Sequence, residues 1–538
     1  MRWDVLYLIW GWTLIALTFP LLLLLIITFW LDGSTVALQA FGPAVLSSSG
    51  LGLIMVSLLT RTDSAERLRD HEAFVGVGLI WPLVVLIGAL PYWTGGMFHG
   101  PFTGAEYADV GRGFVNAWFE SMSGFTTTGS TVISMEMSPQ CVAGVTADCI
   151  NAQAQGLLLW RSMTQWLGGM GVVMLSMLVL SRIIGGGMAI ARAELTGPSL
   201  SRLRPKLRQT AIALWGIYFV LTVIEFVLLK FIGGMSVFDA VNHALTTLPT
   251  GGFSTRDASI GHYDSVTIEI IVGVFMAIAG VNFTLLWLAR TGDLRGAFRD
   301  EEFRTYVWYL GIGILAVAAI ITLAGTLSAE TSVREAFFNV ISVITSTGYA
   351  SADYMRWPVI THILLLIMMV VGACAGSTGG GLKVMRIRLA LKVAFRELTK
   401  IAEPRKVDKI RMNNEVVEDG QVNMVVGMIL IWIVLFAVSS ILLAVAMPGG
   451  SFESIVSVVA SSLGNTGPAL GAYGPSNTWA SMNSFSLVVT SILMWFGRLE
   501  LLTAIIILHP KSWRRKDKSS AERQGQALIK RLVSESED

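Results

Sequence analysis

Charge is what this sequence has least of. Asp, Glu, Lys and Arg make up 14% of its 538 residues, where a soluble chain carries roughly a quarter. Six histidines and three cysteines are equally sparse. The histidines are scattered, with no HExxH, no CxxC and no Cys/His cluster, and no two carboxylates sit at a useful spacing within one apolar segment. Those absences argue against a structural zinc site and leave a membrane enzyme without an acid–base or metal constellation. A formal net charge of +2 says nothing about partners by itself, and no nucleic-acid partner is expected. A cleavable leader is not expected either: the apolar stretch 6–30 is too long for a signal h-region, and no small-residue cleavage site follows.

What is there is apolar. Hydrophobic residues form 53% of the chain and cluster in long blocks, which points to an all-α polytopic membrane protein. After spans at 6–30 and 35–60, one unit recurs: a span, a short segment, a second span. The short segments fall at about 110–129, 237–250, 333–347 and 452–466. An even number of spans separates the copies, so the four repeats are parallel, in a pseudo-fourfold arrangement. The expected layout is an extra N-terminal helix pair at 1–71, repeat 1 at 72–209, repeat 2 at 210–304, repeat 3 with a gating loop at 305–421, repeat 4 at 422–508 and a cytoplasmic tail at 509–538. With both termini inside, 32 of the 39 Lys and Arg lie on cytoplasmic segments and six outside. That asymmetry fixes the orientation and puts the short segments on the outer face.

The short segments hold the polar residues that matter. They read FESMSGFTTTGST at 119–131, NHALTTLPTGGFST at 242–255, NVISVITSTGYAS at 339–351 and VVASSLGNTGPALG at 458–471. Each carries a Thr-Gly pair, and none is long or apolar enough to cross a bilayer. Non-helical backbone at membrane depth must be buried in protein or line water. A half-helix descending from outside, followed by an extended return, satisfies that rule. Its C-terminal end favours a cation, and glycine lets carbonyls turn inward to replace a cation's water shell. Nine residues before the Thr-Gly glycine stand Glu120, Asn242 and Asn339, with Val458 in the fourth copy. This shared position either steadies the loop or faces solvent.

These stretches, with QWLGGMG at 165–171, AELTGP at 193–198, GSTGGG at 376–381 and GRLE at 497–500, resemble the potassium-translocating membrane subunit of the bacterial Trk system, within the Trk/Ktr/HKT superfamily. The resemblance covers nearly the whole chain. It implies potassium uptake across the inner membrane, a homodimer with one pore per subunit, and gating by a TrkA-like cytoplasmic nucleotide-binding subunit. Potassium is then substrate, and no covalently bound cofactor is implied. Carried over residue by residue, the potassium-binding filter is Thr127, Thr128 and Gly129; Pro249, Thr250 and Gly251; Ser346, Thr347 and Gly348; Asn465, Thr466 and Gly467. A glycine in all four copies is the family's potassium pattern. The chain departs from that pattern at Thr466 where Leu is usual, at Ala469 where Gly is usual, at Tyr349 where Phe is common, and in a longer loop at 134–154.

The run GACAGSTGGG at 372–381 interrupts the last span of repeat 3. Each glycine costs a helix about 1 kcal/mol against alanine. No GK[ST] ending and no preceding strand support a phosphate loop. The run is read as a mobile barrier beneath the filter, with Gly372, Cys374, Gly376, Gly379, Gly380 and Gly381 as its gate residues. Arg498, inside the last span, is read as the gate's partner rather than as a pair with Glu500. Cys141 and Cys149 share an outer loop and form a candidate disulfide if the compartment oxidises. The basic segments 383–411 and 511–531 leave two occupants open, a cytosolic partner or anionic membrane lipid. A sodium- or proton-coupled symporter using the same filter stays open as the alternative mechanism, with Glu225 as the buried acid that would mark it.

Overall fold

The computed structural model describes residues 3–57, 70–142, 144–171, 207–405, 409–417 and 419–499. The second span of repeat 1 beyond residue 171, the 193–198 motif, Glu500, the 511–531 basic segment and the 509–538 tail lie outside the described residues. What is described is almost wholly helical. Among the described residues, five helices are long and apolar enough to cross a membrane. Their hydropathy is turned outward. Trp308, Leu315, Leu323, Ile441 and Val445 are 66–87% exposed, while the buried interior is rich in Ser, Thr and Asn. That inversion suits a protein whose surroundings are hydrocarbon.

Helices α1 (Trp3–Leu31) and α2 (Ser34–Ser57) pack along each other, joined by a tight turn at Asp32 and Gly33, where Gly33 takes φ 90°. The Asp32 carboxylate accepts the N–H groups of Gln155 and Gly156 at 3.0 and 2.7 Å, capping a distant helix, α5. Helices α3 (Asp70–Thr94), α4 (Tyr107–Phe125) and α5 (Gln155–Met170) follow. Next come α6 (Leu207–Phe231), α7 (Val237–Thr247), α8 (Val266–Ala279), α9 (Phe283–Arg290), α10 (Leu294–Arg299), α11 (Glu301–Leu323) and α12 (Ala329–Ile344). Helices α13 (Val359–Val370), α14 (Val384–Ala402), α15 (Asp419–Ala446), α16 (Phe452–Gly464) and α17 (Ser484–Arg498) complete the set.

Helix starts are written in the sequence. Ser236, Ser265, Asn282, Asp300, Ser328, Ser451 and Asn483 each accept a backbone N–H of the first turn they precede, the ordinary work of an N-cap. The four short helices α4, α7, α12 and α16 are largely enclosed, as is α5. In α16 every residue from 457 to 464 is buried.

One element differs from the sequence reading. The apolar stretch 266–289, which the span–short segment–span unit makes the second span of repeat 2, breaks at 280–282 and bends by 99° between α8 and α9. The reason is tertiary. The Gly280 carbonyl and the Phe283 N–H leave the helical ladder: the carbonyl accepts Cys374 N–H at 3.1 Å, and the N–H donates to Gly376 O at 3.0 Å. The break holds the glycine-rich loop of repeat 3.

Candidate functional site

The C-terminal ends of α4, α7, α12 and α16 lead into four stretches with one backbone conformation. Thr127, Thr250, Ser346 and Asn465 take left-handed φ of 51°, 56°, 56° and 51°. Two residues later come Gly129, Gly252, Gly348 and Gly467, with φ of 87°, 74°, 82° and 98°. Between them, the N–H groups of Thr128, Gly251, Thr347 and Thr466 each reach back five residues into the helix, at 2.8–3.0 Å. The same contact joins neighbours. Gly129 lies against the Gly251 carbonyl, Gly252 against Thr347, Gly348 against Thr466 and Gly467 against Thr128. A Cβ at any of these glycines would overlap the neighbouring oxygen. Four such junctions close a ring, and glycine is required there twice over, for its φ and for lack of room.

This geometry corrects the second stretch. The sequence reading gives Pro249, Thr250 and Gly251; the structural equivalents are Thr250, Gly251 and Gly252. Pro249 falls instead at the place of Thr126, Thr345 and Gly464, and packs on Gly169. Two successive glycines leave the register open in the sequence. The backbone decides it: Gly252 has no space for a side chain beside Thr347, whereas Gly251 abuts only the Gln165 side chain.

With that register, the position nine residues before the ring glycine holds Glu120, His243, Asn339 and Val458. Glu120 accepts Val132 N–H at 3.1 Å and the Thr131 hydroxyl at 3.0 Å. His243 Nε2 lies 3.0 Å from Ser254 Oγ, and Asn339 exchanges bonds with Ser351 at 3.1 and 3.3 Å. Val458 has no polar group, and its neighbour Ser457 accepts Leu470 N–H instead at 2.9 Å. Asn242, singled out in the sequence, bonds Phe238 O and Ser162 away from the returning strand. In three of the four copies the position therefore ties the half-helix to its returning stretch, and in the fourth the neighbouring Ser457 does so.

Further braces cross between stretches. Arg161 donates Nε to Glu120 at 2.6 Å and a terminal nitrogen to Ser254 O at 2.9 Å, and its guanidinium lies 3.6 Å over the Phe253 ring. This ion pair is buried and bonded on both partners, the condition under which burial is tolerated. Gln165 holds the second stretch at both ends, donating to Gly251 O at 2.7 Å and accepting Phe253 N–H at 3.1 Å. The Tyr349 hydroxyl reaches Thr246 Oγ1 at 2.5 Å. Thr126 with Thr128, and Thr345 with Thr347, pair their hydroxyls at 2.8 Å. Gly464 stands at that place in the fourth stretch, and the Thr466 hydroxyl has no partner among the described residues.

On one side of the ring, a cavity is lined by Gly129, Gly252, Gly348 and Gly467 together with Ser254 and Trp479. The 134–154 loop roofs part of it. Cys141 and Cys149 are joined there by a disulfide, with Cα atoms 5.3 Å apart. Asp257 accepts the N–H groups of Cys149 and Ile150 at 2.7 and 2.9 Å, fastening the loop. Burial pushes the Asp257 carboxyl upward, and Asp148 beside it adds to the shift against those two bonds.

On the other side runs the loop 371–383. Its ends pair, Gly372 N–H with Leu382 O and Leu382 N–H with Val370 O, both at 2.9 Å. Its middle presses on the ring. Gly380 N–H donates to Ser346 Oγ at 2.6 Å, Thr378 Oγ1 donates to Leu248 O at 2.9 Å, and Gly380 abuts Gly464 O. Glu302 takes the Ala375 N–H at 2.6 Å, and Lys383 bonds Gly379 O. Arg498 donates to Thr378 O at 2.9 Å and to Gly168 O and Gly169 O at 2.6 and 2.8 Å. It thus joins the loop to the end of α5. A second cavity is lined by 376–383, Asn465 and Arg498. All six gate glycine and cysteine positions lie in this loop; Cys374 is buried.

Comparison with known proteins gives one answer. The family model for TrkH, described as a cation transport protein, matches residues 53–515. The chain belongs to the TrkH family. It is 35% identical over 481 residues to the Trk system potassium uptake protein TrkH of Salmonella typhimurium, spanning 88% of this chain and 92% of that one. It is also 35% identical to the TrkH of Halomonas elongata, over 89% and 92% of the two chains. The crystal structure of the potassium transporter TrkH from Vibrio parahaemolyticus superposes with a TM-score of 0.79 at 28% identity, covering 96% of this chain and all of that one. Members of this family are transport proteins, not enzymes, and the chain is a multi-pass helical membrane protein of that kind.

Several site residues carry no local signal in the sequence. Glu302, Ser346 Oγ and Gln165 act on backbone groups 34 to 88 residues away. Only the family motif around Gln165 marks one of them.

Proposed function

We propose that this chain takes up potassium through the ring, with the backbone carbonyls of Thr127, Thr128, Gly129, Thr250, Gly251, Gly252, Ser346, Thr347, Gly348, Asn465, Thr466 and Gly467 replacing the ion's water shell. The observation that carries this is the identical glycine–carbonyl contact at all four junctions, lying between two cavities. A closed ring of one backbone conformation can present oxygens of equal character to one ion. The half-helix C-termini add partial negative charge. Four parallel repeats in pseudo-fourfold order would make this ring within a single chain, with residues 1–71 outside it.

The loop 371–383 is the gate in this reading. It bonds the ring at Ser346 and Leu248, so an ion cannot pass until it withdraws. Arg498 latches it and adds a positive charge below the ring. The disulfide-bearing loop faces outward and both termini face the cytoplasm, in keeping with the Lys and Arg bias. A homodimer and a cytoplasmic nucleotide-binding partner acting on the gate, with lipid around the apolar belt, complete the proposal.

Tracer rubidium uptake into proteoliposomes, with sodium as competitor and no sodium gradient, tests it. Saturable uptake indifferent to sodium is expected. Uptake that requires a sodium gradient would replace the sodium-independent pathway by a sodium-coupled one.

A further inference from the structure

Five acidic side chains are buried among the described residues, and four have an evident answer. Glu120 has Arg161, Asp239 has Arg256 and two hydroxyls, Glu269 has Arg334, and Glu302 has two backbone N–H groups. Glu225 has none. It is fully buried, and neither carboxyl oxygen meets a hydrogen-bond partner.

Its position is not accidental to a lipid surface. Helix α6 buries Leu214, Tyr218, Thr222, Glu225 and Leu229, one face at helical spacing, and exposes Phe219, Val220, Val223, Ile224 and Val227 on the other. Glu225 thus points inward from a membrane-spanning helix. Facing it are Thr247, the last residue of the half-helix leading into the second stretch, Tyr349 just past the third ring glycine, and Tyr218 on its own helix. No charged group faces it. Arg498 acts on Tyr218 from α17, and the buried His243 stands one turn before Thr247.

The hydroxyls indicate which form of the acid belongs there. Thr247 Oγ1 donates its proton to His243 O at 2.8 Å, and Thr246 Oγ1 donates to Asn242 O at 2.9 Å. The Tyr349 hydroxyl, 2.5 Å from Thr246 Oγ1 and 3.3 Å from His243 O, has its proton engaged on that same side. Their protons are committed to the half-helix, so toward Glu225 they offer lone pairs. A carboxylate would meet acceptors only; a neutral acid would meet a place to donate. An ionised carboxylate without a donor or counter-charge is expensive in such surroundings.

We propose that Glu225 is a proton-binding site, occupied in the closed state, whose proton exchange is coupled to cation movement through the adjacent second and third stretches. The inference deepens the coupled alternative and rests on reading the ring as the cation pathway. Ser254 lines the glycine-lined cavity and sits 3.0 Å from the Nε2 of His243, one turn before Thr247. His243 Nδ1 lies 2.8 Å from the Asp239 carbonyl, so the neutral ring keeps its proton there and leaves Nε2 to accept.

The test records tracer rubidium uptake and internal pH on the same proteoliposomes, for the full chain and for Glu225→Gln. In the wild type, rubidium entry should carry protons with it, and an inward proton gradient should raise uptake. In the variant, the ratio of uptake with and without that gradient should fall to unity. Rubidium entry without proton movement in the wild type overturns the proposal. So does a gradient response that survives in the variant, or a sodium-gradient response that the variant loses. Infrared spectroscopy of the wild type needs no variant to fold. A protonated carboxyl band at neutral pH that moves when rubidium is added supports the site, and its absence refutes it. That band is read even if no rubidium enters, an outcome that would reject the pathway reading instead.

Discussion

Replacing Arg498 with alanine should open the pathway without a partner protein. Arg498 makes three bonds to backbone carbonyls, of which the one to Thr378 O holds the loop and those to Gly168 and Gly169 anchor the arginine to α5. A hydrogen bond from a charged donor is worth about 1.5–3 kcal/mol. Withdrawal of the loop breaks the Thr378 bond only, so the closed state loses about that much. At about 1.4 kcal/mol per factor of ten, the open-to-closed ratio rises roughly 10- to 150-fold. Losing the positive charge below the ring acts in the same direction. Rubidium uptake by chain alone in proteoliposomes should therefore rise by at least about tenfold unless the wild type is already open. Arg498→Lys separates the two effects: it keeps the charge but cannot span three carbonyls with a planar fork. Uptake like the alanine variant identifies the latch; uptake like wild type identifies the charge. Unchanged or lower uptake by Arg498→Ala, in protein with wild-type melting behaviour, refutes the gate.

The register of the second stretch predicts that Gly252→Ala abolishes selective rubidium uptake, while Gly251→Ala, which displaces only Gln165, retains more; the reverse order in competition assays would restore Pro249–Gly251. Thr347→Val breaks a hydroxyl pair with Thr345 and should cost about 1 kcal/mol, seen as a lower melting temperature, whereas Thr466→Val removes a hydroxyl without a partner and should leave stability equal or higher. Arg161→Met strands the Glu120 carboxylate and should destabilise by about 3–5 kcal/mol, and adding Glu120→Gln should recover part of that in thermal unfolding. Mass measured with and without reductant should show the Cys141–Cys149 bond, and Cys141→Ser should leave rubidium uptake near wild type, because the loop is also held by Asp257.

The sequence by itself determined the class of protein and picked out the four stretches that the structure brings together. Low charge and long apolar blocks required a membrane protein, and four Gly/Thr-rich stretches between spans located the ring. Ser, Asn and Asp caps marked where most helices begin. These signals are local: burial in lipid, helix starts and permissive glycines depend on residue type and near neighbours. The sequence could not choose between Gly251 and Gly252, because both are permissive and only the Thr347 carbonyl of another stretch excludes a side chain at one of them. It read 266–289 as one span, because the bend at Gly280 is held by Cys374 and Gly376 about a hundred residues on. It singled out Asn242 and not His243, because helix register was counted from Gly251. Glu225 was visible as an acid in an apolar run, but that nothing answers it, and that the hydroxyls around it have their protons turned elsewhere, is a property of packing. Contacts between distant segments decide what each polar group must do, and they exist only once the chain is folded.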